Sequence, residues 1–300
     1  MIIKKFLEYL TYERRFSNYT VKSYETDLKQ FYDFIAEDNE IAENQEIKLL
    51  TYNNVRNWIV FLKKANQSPA SINRKISSLK SFTKYLIKIG KIENNPLENI
   101  SALKNKKRLP EFVKESQMNK LEDEKEILFT NNFSGKRDEF ILELFYNTGI
   151  RLSELINIKH KDFDFFKKTI KVLGKRNKER IIPINEYIKN IFSDYILFKE
   201  KENFSLEGNS WLFVTNKGQK MYPKFVYLKV IRYLSEITEL KKRSPHILRH
   251  TFATHMLNNG ADLNAIKEIL GHSSLAATQI YTHNTFKKIK EIYNKAHPRS

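Results

Sequence analysis

The sequence contains no cysteine, which excludes a disulfide scaffold, thiolate metal ligands and a cysteine nucleophile. It also lacks any apolar run near the roughly 18–20 residues that a bilayer-spanning helix needs. Its first residues, MIIKKFLEYLTYERRF, carry charges in every turn and form no apolar signal-peptide core. We therefore expect a cytoplasmic protein with no membrane association.

Several enzyme signatures are missing as well. There is no G-x-x-x-x-G-K-[ST] loop to hold nucleotide phosphates and no G-x-S-x-G elbow to carry a serine nucleophile. His246 and His250 have the spacing of a zinc-binding pair, but the glutamate of the H-E-x-x-H motif is missing between them. The sequence thus predicts neither a metal site nor a cofactor.

Acidic residues are scarce relative to basic ones: there are 35 Asp and Glu against 53 Lys and Arg, which gives a net charge of +18. A field of that sign attracts polyanions, of which nucleic acid is the commonest. Both halves of the chain are basic, so a nucleic-acid partner would contact both. The alternative explanation is a lysine-rich surface that is simply solvated.

The first hundred residues have the pattern of a helical bundle. Their apolar residues recur at spacings of three and four, as on amphipathic helices. Thr51 and the pair Ser68-Pro69 are typical helix starts. We therefore predict a helical domain over residues 1–100, followed by a polar, basic linker over residues 101–112.

The remainder of the chain has a mixed pattern. A helix is predicted at 137–148, and the stretch TIKVLGKRNKERIIPI (169–184) has β-branched arms around a polar turn, which is typical of a β-hairpin. Further helices are predicted at residues 185–201, 224–238, 245–258, 262–270 and 284–296. The predicted fold class is mainly α: an N-terminal helical bundle plus an α+β domain (113–300) with a small antiparallel β-sheet.

Several polar residues at the ends of these elements are candidate catalytic residues. They are Arg151, Lys175, His246, Arg249, His272 and Tyr281. Taken singly, each has an ordinary explanation, such as a surface arginine, a solvated turn lysine, a capping histidine or a packed tyrosine. The argument for a site depends on their occurring together.

Together these residues and their surroundings resemble the tyrosine site-specific recombinases, and most closely those of the Xer type. The segments TGIRLSEL, GKRNKERIIPI, HILRHTFATHML and LGHSSLAATQIYTH match the family's catalytic motifs in order. YLTYERRFSNYTVKSYETDLKQFYDF is similar to the start of the family's helical core-binding domain, so the resemblance covers nearly the whole chain. One departure is Arg176, where the family often has glycine after the hairpin lysine.

The resemblance implies an enzyme that exchanges DNA strands without ATP, a metal or another cofactor. Tyr281 would attack a DNA phosphodiester, giving a 3′-phosphotyrosyl intermediate and a free 5′-hydroxyl. Arg151 and Arg249 would bind the non-bridging oxygens, because guanidinium groups grip phosphate with two donors.

The remaining members of the set take supporting roles in the implied reaction. His246 is the candidate base or hydrogen-bond partner of the nucleophile, and His272 is a further donor to the phosphate. Lys175 would protonate the departing 5′-oxygen as general acid. Glu154, one helical turn after Arg151, is predicted to orient a member of the site, the alternative being an ordinary surface glutamate.

DNA contacts are also expected outside this set. Arg74 and Lys80, on the predicted helix 69–89, are candidates for binding the DNA backbone or groove, with Ser71, Ser77 and Ser78 as added hydroxyl donors. The alternative is a solvated face opposite an apolar stripe. The resemblance implies a clamp of both domains around double-stranded DNA.

The resemblance implies further partners. In the family the C-terminal helix docks on a neighbouring protomer, which would link a homo- or hetero-tetramer on two DNA sites, and a septal DNA translocase is a possible activator. From the residues alone, the stripe of Phe286, Ile289 and Tyr293 is also compatible with docking on its own domain.

The resemblance to the Xer type implies that the function is chromosome-dimer resolution at a dif-like site. The compact length favours this role over that of a phage or mobile-element integrase with the same chemistry. The non-enzyme alternative is an architectural DNA-binding protein, which is disfavoured because every reactive position is filled.

Overall fold

The computed structural model describes residues 2–36, 45–104, 111–174, 179–271 and 283–299, with side chains in the last range described from residue 289 onwards. The chain divides into two compact units, Met1–Arg108 and Leu109–Ser300. Each unit has its own hydrophobic core. Within the described ranges, no helix combines the length and the apolar character needed to cross a membrane.

The N-terminal unit is helical. Its elements are α1 (Ile2–Glu8), a π-helical turn (Tyr9–Glu13), α2 (Asn18–Ala36), α3 (Gln45–Leu49), α4 (Tyr52–Lys64) and α5 (Pro69–Lys88). Phe6, Phe31, Trp58 and Phe82 are almost completely buried in its core. The predicted N-terminal helical bundle is confirmed.

Local capping explains where two of these helices begin. The Thr51 hydroxyl accepts a hydrogen bond from the backbone N–H of Asn54 (3.2 Å) before α4. The Ser68 hydroxyl accepts one from the backbone N–H of Ser71 (3.2 Å) before α5, whose first residue is Pro69. Both bonds satisfy an N–H of the first helical turn that has no partner inside the helix.

The C-terminal unit combines helices with a small sheet. Its elements are α6 (Glu115–Asp123), α7 (Lys125–Leu128), α8 (Phe133–Thr148), α9 (Leu152–Leu155), a 3₁₀ turn (His160–Asp162), β1 (Phe163–Asp164), β2 (Thr169–Leu173), β3 (Glu179–Pro183), α10 (Glu186–Lys201), α11 (Pro223–Ile237), α12 (Pro245–Asn258), α13 (Leu263–Leu270) and α14 (His283–Ala296). Strands β1, β2 and β3 pair antiparallel in that order, which confirms the predicted sheet. The two-residue strand β1 was too short to be predicted.

Helix α8 lies at the centre of this unit. Almost every residue of α8 is buried, and the helix packs against α10 and α12. It ends at Gly149, whose φ of +58° is in the left-handed region. A Cβ at Gly149 would lie 2.6 Å from side-chain atoms of both Leu270 and Phe252, so only glycine fits this turn. The turn delivers Arg151 to the start of α9.

The start of α8 differs from that predicted. Helix α8 begins at Phe133, four residues earlier than expected from 137–148, because the side-chain oxygen of Asn132 accepts a hydrogen bond from the Gly135 N–H (2.9 Å). Helix α12 begins at Pro245 as predicted, and the side chain of Ser244 before it makes no capping hydrogen bond.

The C-terminal helix packs on its own unit. Ile289, Tyr293 and Ala296 are buried, and α14 packs against α12, α13 and β3. Beyond the helix, Arg299 donates to Glu143 Oε1 (3.2 Å) and pairs with Glu122. The single chain therefore adopts the docking that the sequence left open as an alternative, and docking on a neighbouring protomer stays a prediction for an assembled complex.

Candidate active site

Arg151 lies where the buried helix α8 gives way to the short helix α9. Its backbone N–H donates to Glu154 Oε2 (2.8 Å), and its Nη1 donates to Glu154 Oε1 (2.8 Å). Its Nη2 donates to the carbonyl of Gly271 (3.0 Å) at the end of α13. Glu154, predicted to orient a member of the site, thus contacts Arg151 at two points.

Arg249 reaches the same place from α12. Its Nη1 donates to the Gly149 carbonyl (2.5 Å) and its Nη2 to the Leu270 carbonyl (2.6 Å), and the residue is only 8% exposed. Burial, with the charges of Arg151 and Arg180, lowers the pKa of Arg249 to about 9. The guanidinium is therefore still charged at neutral pH.

Arg180, on β3, is a member of this cluster that the sequence analysis missed. Its Nη1 and Nη2 donate to the two carboxylate oxygens of Glu154 (2.5 and 2.8 Å), and its Nε donates to the Ile269 carbonyl (2.8 Å). Strand periodicity would have provided a signal, because residues two apart share a face. Arg180 therefore shares the buried face of Ile182 and Ile184.

The Glu154 carboxylate is buried between two arginines. Burial alone would raise its pKa, but the hydrogen bonds and charge of Arg180, together with the hydrogen bonds from Arg151, hold that pKa below its usual value. Glu154 is therefore ionised at neutral pH and binds both guanidinium groups as an anion.

The three arginines converge on the C-terminal end of α13. The carbonyls of Ile269, Leu270 and Gly271 accept hydrogen bonds from Arg180, Arg249 and Arg151, respectively. A helix C-terminus carries unpaired carbonyls and a partial negative charge, which favours cationic partners. Arg151 and Arg249, which come from distant parts of the chain, therefore meet at the end of α13.

Arg151, Arg249 and His246 share one concave surface. They line a cavity of about 200 Å³, together with Ile150, Leu152, Tyr227 and Pro245. His246 is exposed on the first turn of α12. Two guanidinium groups and an imidazole around one cavity form a site suited to a phosphate group with two non-bridging oxygens.

Three predicted site residues lie outside the described residues. Lys175 falls between β2 and β3 in the sequence, and His272 and Tyr281 fall between α13 and α14. The described part of the site therefore contains Arg151, Glu154, His246 and Arg249. In the described ranges, no three or more His, Cys, Asp or Glu side chains form a group that could hold a metal ion.

The predicted DNA-binding residues of α5 lie in the N-terminal unit. Arg74 is half exposed and donates to Asp27 Oδ2 (2.5 Å) and to the Ser23 hydroxyl (2.6 Å). Lys80 is partly buried. Ser78, expected as a hydroxyl donor to phosphate, is instead buried and bonded to Asp27 (2.8 Å), which corrects that expectation.

Comparisons with known proteins extend these observations. Residues 111–288 match the phage integrase family, and residues 3–90 match the phage integrase N-terminal SAM-like domain. The chain is 39% identical over 303 residues to the tyrosine recombinase XerC of Staphylococcus saprophyticus, covering 100% of this chain and 98% of that protein. It is 38% identical over 317 residues to XerC of Chlorobaculum tepidum, covering 99% and 94% of the two chains.

Solved structures share the fold. The XerH site-specific recombinase, crystallised bound to a difH substrate, matches with a TM-score of 0.69 and 21% identity, over 98% of this chain and 81% of that one. The Tn1549 transposon integrase matches with a TM-score of 0.58 and 20% identity, over 87% and 98%. The full-length similarity to XerC proteins and the family match over the catalytic region identify this chain as a member of the tyrosine recombinases, the phage integrase family of enzymes that cut and rejoin DNA.

Proposed function

We propose that this recombinase resolves chromosome dimers at a dif-like site through a 3′-phosphotyrosyl intermediate formed on Tyr281. The observation that carries the proposal is the meeting of Arg151, Arg249 and His246 at one cavity. Relatives named XerC, similar over their whole length, favour this role over that of a mobile-element integrase. The similar XerH was crystallised with a difH substrate.

The arginines fit the electrostatic demand of the reaction. A phosphodiester under attack gathers negative charge on its non-bridging oxygens, and fixed cationic donors stabilise that charge more than the ground state. Arg249 is held by two backbone carbonyls, and Arg151 is held by Glu154 and the Gly271 carbonyl. Each retains further N–H groups that these partners do not use, because a guanidinium has five.

The proposed step conserves atoms and charge. The Tyr281 oxygen forms a bond to phosphorus while the bond from phosphorus to the 5′-oxygen breaks. His246 takes or shares the phenol proton, since a phenol with a pKa of about 10 is a poor nucleophile at neutral pH. Lys175 gives a proton to the departing 5′-oxygen, and His272 donates a hydrogen bond to the phosphate. The 5′-hydroxyl of a second strand then reverses the attack.

The proposal includes partners and a location. The ligand is double-stranded DNA, bound by both basic units of the chain. The active assembly is a homo- or hetero-tetramer on two DNA sites, linked through the C-terminal helix, with a septal DNA translocase as activator. A chromosomal substrate places the enzyme in the cytoplasm.

Covalent capture tests the nucleophile. The probe is a nicked suicide duplex whose sequence the full-length chain has selected from a randomised pool. We expect Tyr281→Phe to abolish the covalent protein–DNA band while DNA binding stays nearly intact. Tyr227→Phe is the matched control, because Tyr227 is the phenol that lines the described cavity, and this variant should still form the band. Capture by Tyr281→Phe would refute the assignment.

A further inference from the structure

Arg180 is buried in the sheet and does not line the cavity of the candidate site. It lies on β3 opposite Val172 of β2, and its side chain is 6% exposed. It is not among the residues that line the cavity of Arg151, Arg249 and His246. A direct contact between Arg180 and a bound phosphate is therefore not what its position supports.

Its hydrogen bonds join three separate elements. The two Nη atoms bind both oxygens of Glu154, which follows Arg151 on α9, and Nε binds the Ile269 carbonyl at the end of α13. A bidentate arginine–carboxylate pair fixes orientation as well as distance. Strand β3, helix α9 and the last turn of α13 are therefore held in one arrangement by a single guanidinium.

Glu154 connects Arg180 to Arg151 through hydrogen bonds to both side chains. Its Oε1 accepts from Arg180 Nη1 (2.5 Å) and from Arg151 Nη1 (2.8 Å), and its Oε2 accepts from Arg180 Nη2 and the Arg151 backbone N–H (both 2.8 Å). Each carboxylate oxygen thus joins the two arginines. If Arg180 were lost, Glu154 would keep its two hydrogen bonds from Arg151 but would no longer be tied to β3, and the direction of the Arg151 guanidinium would change with it.

The packing at Gly271 shows how closely the Arg180 side chain fits against the end of α13. A Cβ at Gly271, where φ is +64°, would lie 2.9 Å from Arg180 Cδ and 3.3 Å from its Nε. The Gly271 carbonyl accepts from Arg151 Nη2 (3.0 Å). The Arg180 side chain therefore packs against the same turn of backbone that Arg151 contacts.

We propose that Arg180 is a positioning residue for DNA cleavage, which sets the direction of the Arg151 guanidinium through Glu154 and anchors the end of α13 through Ile269. The inference depends on the proposed role of Arg151 in binding the scissile phosphate. Displacing a catalytic group by about 1 Å commonly costs on the order of 100-fold in rate. The loss expected without Arg180 is therefore in the rate of cleavage and not in DNA affinity.

The charge balance around Glu154 adds a pH signature. Arg151 and Arg180 bind its carboxylate, and Arg249 is close enough to interact with it electrostatically. Glu154 also lines a cavity of about 260 Å³, whose other charged residues are Lys159, Lys161, Asp162, Lys171 and Glu179. Because burial favours the neutral carboxyl, removal of Arg180 should raise the pKa of Glu154. Its ion pair with Arg151 would then weaken at low pH and recover as pH rises.

The experiment compares Arg180→Gln, Arg180→Lys and the double variant Arg180→Gln/Glu154→Gln with the wild-type chain. Arg232→Gln, an exposed arginine on α11, is the control. Single-turnover covalent capture is measured on the selected nicked duplex from about pH 6 to 9, together with the Kd for the intact duplex. Carbon-13 NMR of labelled glutamate, assigned by Glu154→Gln, reports the titration of Glu154 in the DNA-free chain.

For Arg180→Gln we expect capture to slow about 100-fold at pH 6, with a Kd within a few-fold of the wild-type value. The ratio of wild-type to variant rates should fall as pH rises, and Glu154 should titrate at higher pH. Arg180→Lys, which keeps the charge but not the fork, should fold and still be slow. The double variant should lose the pH dependence of this ratio.

A wild-type rate for Arg180→Gln, a rate ratio that does not change with pH, or an unchanged Glu154 titration would overturn the inference. If Arg180→Gln does not fold, a wild-type capture rate for Arg180→Lys would overturn it too. Failure of the proposed function looks different, because the wild-type chain itself would then capture no DNA. In that case the Glu154 titration still decides whether Arg180 controls the carboxylate.

Discussion

Arg249 is the most deeply buried of the arginines that line the candidate cavity, and its contacts show why its charge matters. Two backbone carbonyls orient the guanidinium at 2.5 and 2.6 Å, and burial, together with the nearby positive charges of Arg151 and Arg180, lowers its pKa to about 9. A charge held in place before substrate arrives costs little reorganisation during the reaction. Binding of a phosphate anion would also relieve the repulsion between Arg249 and Arg151.

We expect Arg249→Lys to slow single-turnover DNA cleavage by roughly 10²–10³-fold, because one ammonium cannot replace a fork that holds two carbonyls and a phosphate. DNA affinity should change little, since a chain with a net charge of +18 has many other cations that can bind the DNA backbone. The rate on the nicked duplex and the Kd are the measurements, with Arg232→Lys as control. A cleavage rate near that of the wild type would contradict the role given to Arg249.

Single residues were predictable where a motif identified them. Arg151, His246 and Arg249 were found by their motifs, and the structure brings them to one cavity. Arg180 was not found, because a charged residue in a strand is usually solvated. Arg180 is buried because it pairs with Glu154, which lies on another element of the fold.

At the scale of elements, the docking of α14 depends on ionisable groups as well as apolar ones. The imidazole of His297 is buried beside Tyr146 and Tyr293, and its Nδ1 accepts from the Arg299 N–H (3.0 Å). Burial lowers the pKa of His297 to about 3, although its contact with the Tyr146 carbonyl opposes the shift. The docked helix therefore requires the neutral imidazole.

This requirement predicts a loss of stability in acid. An unfolded histidine has a pKa of about 6.5, so below that pH the unfolded chain binds a proton that the folded chain excludes. Above about pH 6.5 the buried His297 costs the folded state no stability. At pH 5 it lowers the free energy of unfolding by on the order of 2 kcal/mol. We expect His297→Phe to remove this part of the pH dependence, as measured by denaturant unfolding at pH 5 and pH 8.

Comparing His297→Phe with the wild type separates the effect of His297 from an opposing effect of Glu143. Burial raises the pKa of Glu143 to about 7 despite the charge of Arg299, so Glu143 favours the folded state as pH falls. The difference between the variant and the wild type removes that shared term. A difference in unfolding free energy that is equal at pH 5 and pH 8 would contradict the assignment to His297.

A cross-link tests whether α14 must leave its own unit for assembly. Lys290 Nζ donates to the Lys167 carbonyl (2.9 Å), so these two residues are neighbours. Because the chain has no cysteine, Lys167→Cys/Lys290→Cys can be bridged selectively by a short bis-maleimide. If assembly needs docking on a neighbour, the bridged chain should bind DNA but form no tetramer, while the unbridged double variant should form one. Normal tetramers from the bridged chain would contradict docking in trans.

Local signals predicted the elements themselves, but not where α14 docks. Thr51 and Ser68-Pro69 start helices as predicted, because capping depends only on neighbouring residues. An amphipathic stripe predicts that one face of a helix will be buried, but it does not identify the molecule against which that face packs. The burial of Tyr293 and Ile289 in their own unit had to come from the structure.

For the whole molecule, a net charge of +18 on a DNA-binding chain predicts strong dependence on salt. Each neutralised phosphate releases condensed counterions, so log Kd should depend linearly on log salt concentration. If both units contact the backbone through about six to ten phosphates, affinity should fall roughly 10³–10⁵-fold between 50 and 200 mM salt. A shallow slope, measured by fluorescence anisotropy, would argue against a clamp formed by both units.

Lys80→Ala tests the contribution of α5. We expect it to weaken DNA binding on all sequences and to reduce the salt slope by about one. Lys63→Ala, an exposed lysine on α4 in the same unit, is the control. Arg74 is less suitable, because its removal would also deprive the buried Asp27 of an ion-pair partner. An unchanged slope for Lys80→Ala would remove this residue from the DNA interface.

Mass-spectrometric mapping of the trapped protein–DNA adduct would identify the nucleophile itself. After nuclease and protease digestion of the wild-type adduct, the phosphotyrosyl peptide should contain Tyr281 and carry a nucleotide through its 3′-phosphate. A nucleotide attached to Tyr227 or to any other residue, or a linkage through a 5′-phosphate, would contradict attack by Tyr281 on a phosphate held by Arg151 and Arg249.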